Sequence, residues 1–272
     1  MSNAPIGVFD SGVGGLSVLR EIRALLPAEA LIYFADQAHV PYGPRSLEQV
    51  RSFAVGIARF LLQQSSKIIV VACNTASAAA LKHLRSTFPD TPFVGMEPAV
   101  KPAAERSRRR TIGVLATPAT FEGDLFASVV DRHAQGVRVL TQTCPGLVEE
   151  IERGNVDGED VRQLLQDCLT PLREAGIDSL VLGCTHYPFA LKAIREAAGP
   201  GVEIIDPAPA VARQVRRVLE ERGLLCSSQS SAEPVYVTSG DPAALEAALD
   251  GLLGLHAKPL AAHWAGSVLT LR

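Results

Sequence analysis

Short apolar runs rich in Val, Ile and Leu alternate with longer amphipathic stretches along most of the chain. The short runs lie at Ile6–Asp10, Tyr33–Asp36, Ile112–Thr117 and Val235–Thr238, ahead of Cys73 and Cys184, and around Val94 and Ile204. Near-continuous apolar character without polar alternation predicts strands buried on both faces, as in parallel sheets. Helical spacing marks Gly15–Leu26, Ser46–Gln64, Asn74–Thr87, Gly146–Gly154, Val161–Ala175, Ala190–Ala198, Pro209–Gly223 and Pro242–Leu253. Strand–helix alternation of this kind predicts an α/β fold with mainly parallel sheets and right-handed crossovers. Ligands in such folds bind beyond the carboxyl ends of the strands.

The pattern also repeats. Ile6–Asp10 (IGVFD) has a counterpart in Ile112–Thr117 (IGVLAT), and Val94–Val100 (VGMEPAV) in Ile204–Ala210 (IIDPAPA). Between them, Lys67–Ala80 (KIIVVACNTASAAA) matches Ser179–Phe189 (SLVLGCTHYPF). Three anchors in the same order at a nearly constant offset predict two similar halves meeting near Val100–Arg110. The polar loop 226–234, the strand Val235–Thr238 and the helix after it lie outside the duplication and are expected to return to the first half. The expected division is thus 1–99 plus 208–272 for one domain and 100–207 for the other.

A hydrophobic fraction of 47% supplies ample core for either one large domain or two. No apolar run reaches the roughly 18 residues of a membrane span, and MSNAPIGVFD lacks the basic and apolar regions of a secretory signal. The net charge of −3 argues against general affinity for nucleic acid. Five cysteines, an odd number, fit a reducing cytoplasmic compartment better than a disulfide framework.

Cys73 and Cys184 carry the sharpest chemical signal. Each sits where a buried strand opens into a helix, a place where backbone N–H groups and the helix dipole favour thiolate. Asn74 and Thr75 follow the first, Thr185 and His186 the second, as side-chain donors for a polar substrate. His186 can exchange a proton with Cys184, and Asp10 with Cys73 if the first and third strands are neighbours. Cys144, Cys168 and Cys226 lack that context and read as structural. No Cys/His spacing suggests zinc. Asp10-Ser11-Gly12-Val13-Gly14-Gly15 follows the first strand, where glycines serve either turn geometry or close approach to a ligand. Its spacing is not that of a dinucleotide fingerprint, although Asp36 stands at about the distance of a ribose-binding acid. Tyr42 and Gly43 lie in a Pro-rich loop rigid enough to cover a pocket. Glu97 and Glu152 are acids that either enter a cleft or solvate a surface, and Arg106–Arg110 reads as a solvated linker face.

Together, DSGVGGLSVL (Asp10–Leu19), VPYG (Val40–Gly43), ACNTAS (Ala72–Ser77), GCTHYP (Gly183–Pro188) and TSGDP (Thr238–Pro242) resemble the glutamate racemase family of bacterial cell-wall synthesis, nearly end to end. The resemblance implies two similar α/β domains related by a pseudo-two-fold, with glutamate in the cleft between them. It also implies cofactor-independent interconversion of L- and D-glutamate for peptidoglycan. Cys73 would remove the proton from D-glutamate and Cys184 from L-glutamate, supported by Asp10 and His186. Asp10, Ser11, Tyr42, Gly43, Asn74, Thr75, Thr185 and His186 match the family's substrate contacts. Thr117 and Thr120 extend that set, and Glu152 matches an acid near the second thiol. No cofactor, metal, nucleic acid or membrane is expected, and a homodimer is implied. The short lead before the first strand predicts no N-terminal regulatory segment. An aspartate or other amino-acid racemase of the same superfamily, a Cys/His hydrolase using Cys184 and His186, and a two-lobed binding protein are the alternatives.

Overall fold

The computed structural model describes residues 3–122, 124–227 and 233–271; residues 228–232 of the predicted polar loop lie outside them. Its first sheet holds β1 (Ile6–Asp10), β2 (Leu31–Ala35), β3 (Ile68–Val71), β4 (Phe93–Gly95), β9 (Val235–Thr238), β10 (Leu260–Ala265) and β11 (Val268–Leu271). The order is β11-β10-β9-β2-β1-β3-β4, parallel except for the β10–β11 hairpin. The second sheet holds β5 (Thr111–Ala116), β6 (Arg138–Gln142), β7 (Ser179–Gly183) and β8 (Glu203–Ile205), all parallel in the order β6-β5-β7-β8. The connectivity 2-1-3-4 therefore occurs twice, and β3 and β7 hold equivalent positions.

Helices cover both faces of each sheet. On the first, α1 (Leu16–Leu25), α10 (Ala208–Glu221) and α11 (Pro242–Leu253) enclose a core with Ile6, Val8, Ile68 and Val70. The opposite face packs Phe9, Ile69 and Val71 under α2 (Leu47–Gln63) and α3 (Asn74–Thr87). The second sheet lies between α7 (Leu147–Glu152), α8 (Glu159–Glu174) and α9 (Leu191–Ala198) on one side and α4 (Val100–Arg106), the short α5 (Pro118–Glu122) and α6 (Asp124–His133) on the other. The IIVV run of β3 is wholly buried because it feeds both cores of its sheet. Local chemistry sets several ends: Ser46 and Gln49 form a reciprocal capping box on α2, and Asp241 caps α11 with Pro242 in its first turn.

Three details differ from the sequence expectation. Val100–Arg106 is a helix packed on the second sheet, and the exposed Arg108 and Arg109 donate their backbone N–H groups to the Asp178 carboxylate. Cys144 and Cys168 form a disulfide between the end of β6 and α8, against the expectation of no disulfide framework. The β10–β11 hairpin lies beyond the last predicted helix. Among the described residues no helix is long and apolar enough to cross a membrane.

Candidate active site

The carboxyl ends of β1, β3, β5 and β7 converge on one cavity of about 190 Å³. Ser11, Pro41–Pro44 and Cys73–Thr75 line it from the first sheet, and Ala116–Pro118, Thr143–Gly146, Glu149 and Cys184–Tyr187 from the second. Both sheets thus contribute walls. Of the residues expected at the site, Ser11, Tyr42, Gly43, Cys73, Asn74, Thr75, Cys184, Thr185 and His186 line the cavity directly. Asp10 lies just beneath, accepting from Thr185 Oγ1 and close enough to Cys73 to act on its charge. Glu97 is exposed on the surface instead.

Cys73 is the N-cap of α3, and its Sγ accepts the Ala76 N–H at 3.4 Å. Helix position alone would favour thiolate. Burial and the neighbouring Asp10 carboxylate outweigh it and push the thiol well above its ordinary range. Asp10 is itself shifted upward, chiefly by burial, with His186 and the Gly12 N–H opposing. The β1–β3 pairing, with Ala72 N–H donating to Phe9 O at 2.8 Å, brings these two groups together.

The second thiol has different company. His186 Nδ1 stands 3.7 Å from Cys184 Sγ, and its Nε2 stands 2.6 Å from Glu152 Oε1. Burial works against the imidazolium, but hydrogen bonds and charge from Cys184 and Glu152 raise the His186 pKa well above its usual value. Glu152 is held below the ordinary carboxylate range, His186 and the Val13 N–H overcoming the effect of burial. Each thiol therefore has its own titratable neighbours: Asp10 beside Cys73, and His186 with Glu152 beside Cys184.

The glycine loop after β1 crosses to the second unit. Val13 N–H donates to Glu152, and Ser17 Oγ donates to the Thr185 carbonyl at 2.9 Å. A Cβ on Gly12 would fall 1.9 Å from Glu152 Oε1, and one on Gly14 would fall 2.4 Å from His186 Nδ1. Neither residue has positive φ, so close approach between the two units requires glycine here, not turn conformation. Thr75, Thr117 and Thr120 form a hydroxyl cluster across the same divide, with contacts of 2.8 to 3.5 Å.

Asn74 adds a pointed observation. The residue is 3% exposed and lines the cavity, yet neither the amide oxygen nor the nitrogen has a hydrogen-bond partner within the protein. Leaving a buried amide unmatched costs roughly 1–3 kcal/mol, so this amide is available to any polar group that enters the cavity.

Asp36 resolves differently from the ribose-acid alternative. It is fully buried and already accepts from Tyr42, Ser239 and Trp264. Cys144 and Glu149 also line the cavity, although no local pattern tells a lining cysteine from a packed one.

Residues 6–215 match the Asp/Glu/Hydantoin racemase family. A glutamate racemase of Roseiflexus sp. is 53% identical over 242 residues, which cover 89% of each chain. The structure of a glutamate racemase isoform from Bacillus anthracis superposes with a TM-score of 0.89 at 33% identity, covering 98% of this chain and 100% of that one. A Francisella tularensis glutamate racemase, solved in complex with D-glutamate, gives 0.84 at 31% identity, covering 97% and 98%. With the duplicated fold, the cavity between its sheets and these likenesses in agreement, the chain belongs to the Asp/Glu/Hydantoin racemase family.

Proposed function

We propose that this chain interconverts L- and D-glutamate by a two-base mechanism, with Cys73 and Cys184 on opposite faces of the substrate α-carbon. The observation that carries this reading is the pair of thiols at equivalent positions of a duplicated unit, both lining one cavity. Inverting a stereocentre by proton transfer needs a base on one face and an acid on the other, because a single base returns its proton to the side it came from. For L-glutamate, Cys184 as thiolate takes the α-proton, and its electron pair passes into the α-carboxylate as an enediolate. Cys73 then gives its S–H proton to the opposite face, producing D-glutamate and a Cys73 thiolate. The upward shift at Cys73 suits an acid that still holds its proton at neutral pH. His186 exchanges a proton with Cys184, and Asp10 with Cys73.

The enediolate gathers negative charge, and the N-terminal end of α3 and the turn Tyr187–Ala190 both face the cavity to stabilise it. Asn74, Thr75 and Thr185 supply donors for the substrate's carboxylates, and their side-chain oxygens accept from its ammonium. The names of the relatives favour glutamate over aspartate. The division into 1–99 plus 208–272 and 100–207, a cytoplasmic homodimer, and delivery of D-glutamate to peptidoglycan belong to the same proposal.

The line Cys184–His186–Glu152 would by itself also suit a Cys/His hydrolase. That reading leaves Cys73 on the facing wall without a task. The test is NMR of L- and D-glutamate in D₂O without added cofactor, for wild type, Cys73→Ala and Cys184→Ala. Deuterium at the α-carbon with formation of the opposite enantiomer, abolished in either variant, is expected. Full activity without Cys73 would refute the two-base assignment.

A further inference from the structure

The loop between β2 and α2 supplies Pro41–Pro44 to the cavity wall, yet its backbone has little to hold it. His39 N–H bonds to Asp36 O, and Arg45 N–H to Tyr42 O; side chains do the rest. Tyr42, 1% exposed, donates its phenol to Asp36 Oδ2 at 2.6 Å. His39 Nδ1 stands 2.9 Å from the same oxygen. The other carboxylate oxygen accepts from Ser239 Oγ and from Trp264 Nε1, each at 2.7 Å. Around this carboxylate the rings pack together: His39 stacks on Phe53 at 3.9 Å and meets the edge of Trp264 at 5.4 Å, and Arg45 lies over Phe53. One buried carboxylate thus joins the substrate-facing loop, the Thr238–Pro242 motif and the C-terminal hairpin.

We propose that Asp36 is a positioning residue for substrate, clamping Tyr42 and the Pro41–Pro44 wall to an anchor built from Ser239 and Trp264. It touches no substrate and acts through Tyr42. The proposal rests on the reading of this cavity as the glutamate site. It gives the C-terminal segment a direct part in substrate affinity, although that segment lines none of the cavity.

Tyr42→Phe removes the phenol bond and keeps the ring; Asp36→Asn keeps the shape and removes the charge. Each is expected to raise KM for both glutamate enantiomers by about tenfold while kcat stays within about threefold, as loss of one hydrogen bond to a charged group predicts. The double variant should be no worse than the poorer single one, because both remove the same interaction. Trp264 is the chain's single tryptophan, so its emission reports the anchor: glutamate should shift it in wild type and not in Tyr42→Phe. Should Asp36→Asn fail to fold, Trp264→Phe, which removes one donor and keeps an aromatic ring, is expected to raise KM in the same way. Unchanged KM in Tyr42→Phe, or KM effects that multiply in the double variant, would overturn the clamp. Cys73→Ala run alongside separates the two failures, since its retained activity would instead overturn the assignment of the site.

Discussion

At the residue scale, the two thiols are chemically unequal although their backbones are equivalent. Cys73 shares its pocket with a buried carboxyl that discourages ionisation; Cys184 faces an imidazole tied to Glu152. The His186–Glu152 pair also links stability to pH. His186 binds its proton more tightly folded than unfolded, so its contribution is complete below its ordinary 6.5 and is lost as pH rises through the raised folded value. Glu152 is depressed, so its contribution is present above its ordinary 4.5 and is lost as pH falls through the lowered folded value. Thermal melts of Glu152→Gln should therefore show the widest Tm deficit between the two ordinary values, 4.5 and 6.5, narrowing toward both extremes. A deficit that does not vary with pH would mean that the pair is not coupled. Cys73, Cys184 and His186 were legible because each lies beside its own motif. The pairing of His186 with Glu152 was not, since the two are 34 residues apart and only the packing of α7 against the turn after β7 brings them together.

At the element scale, the strand-to-helix junction serves both fold and chemistry. Cys73 caps α3 with a sulfur, a weak acceptor where oxygen is preferred. Cys73→Ser should therefore match or exceed wild-type stability, and Cys73→Ala should lie about 1 kcal/mol below the serine variant. Both should lose activity by about 10²–10⁴-fold, the usual share of a positioned acid–base group. Denaturant melts and racemisation assays on the same samples check both points. The strongly apolar strands β1, β3, β5 and β7 were legible because burial on both faces leaves one reading. β6 was not: as an edge strand of sequence RVLTQ it is only partly buried and carries little periodicity. The short β10 and β11 are hidden for the same reason, with Leu260, Val268 and Leu271 exposed.

At the scale of the whole molecule, the C-terminal segment completes the first sheet. β9 pairs with β2 over Ile32–Ala35, so β2 is an interior strand only because residues distant in sequence return to it. A chain ending at Gly223 would expose the β2 edge and strip Asp36 of Ser239 and Trp264. It should bind a hydrophobic dye, unfold without a sharp transition and fail to racemise glutamate; a cooperative, active truncation would contradict this account. The sequence by itself determined the strand–helix alternation, the internal repeat and the two thiols at strand ends, because each depends on side chains close together in the chain. The tertiary structure alone decided that β1 lies beside β3 and so brings Asp10 to Cys73, that Glu152 backs His186, why Gly12 and Gly14 must lack a Cβ, and that Asp36 ties a loop to the C-terminal hairpin. Those are consequences of distance and burial between segments remote in sequence, and no local pattern of residues encodes them.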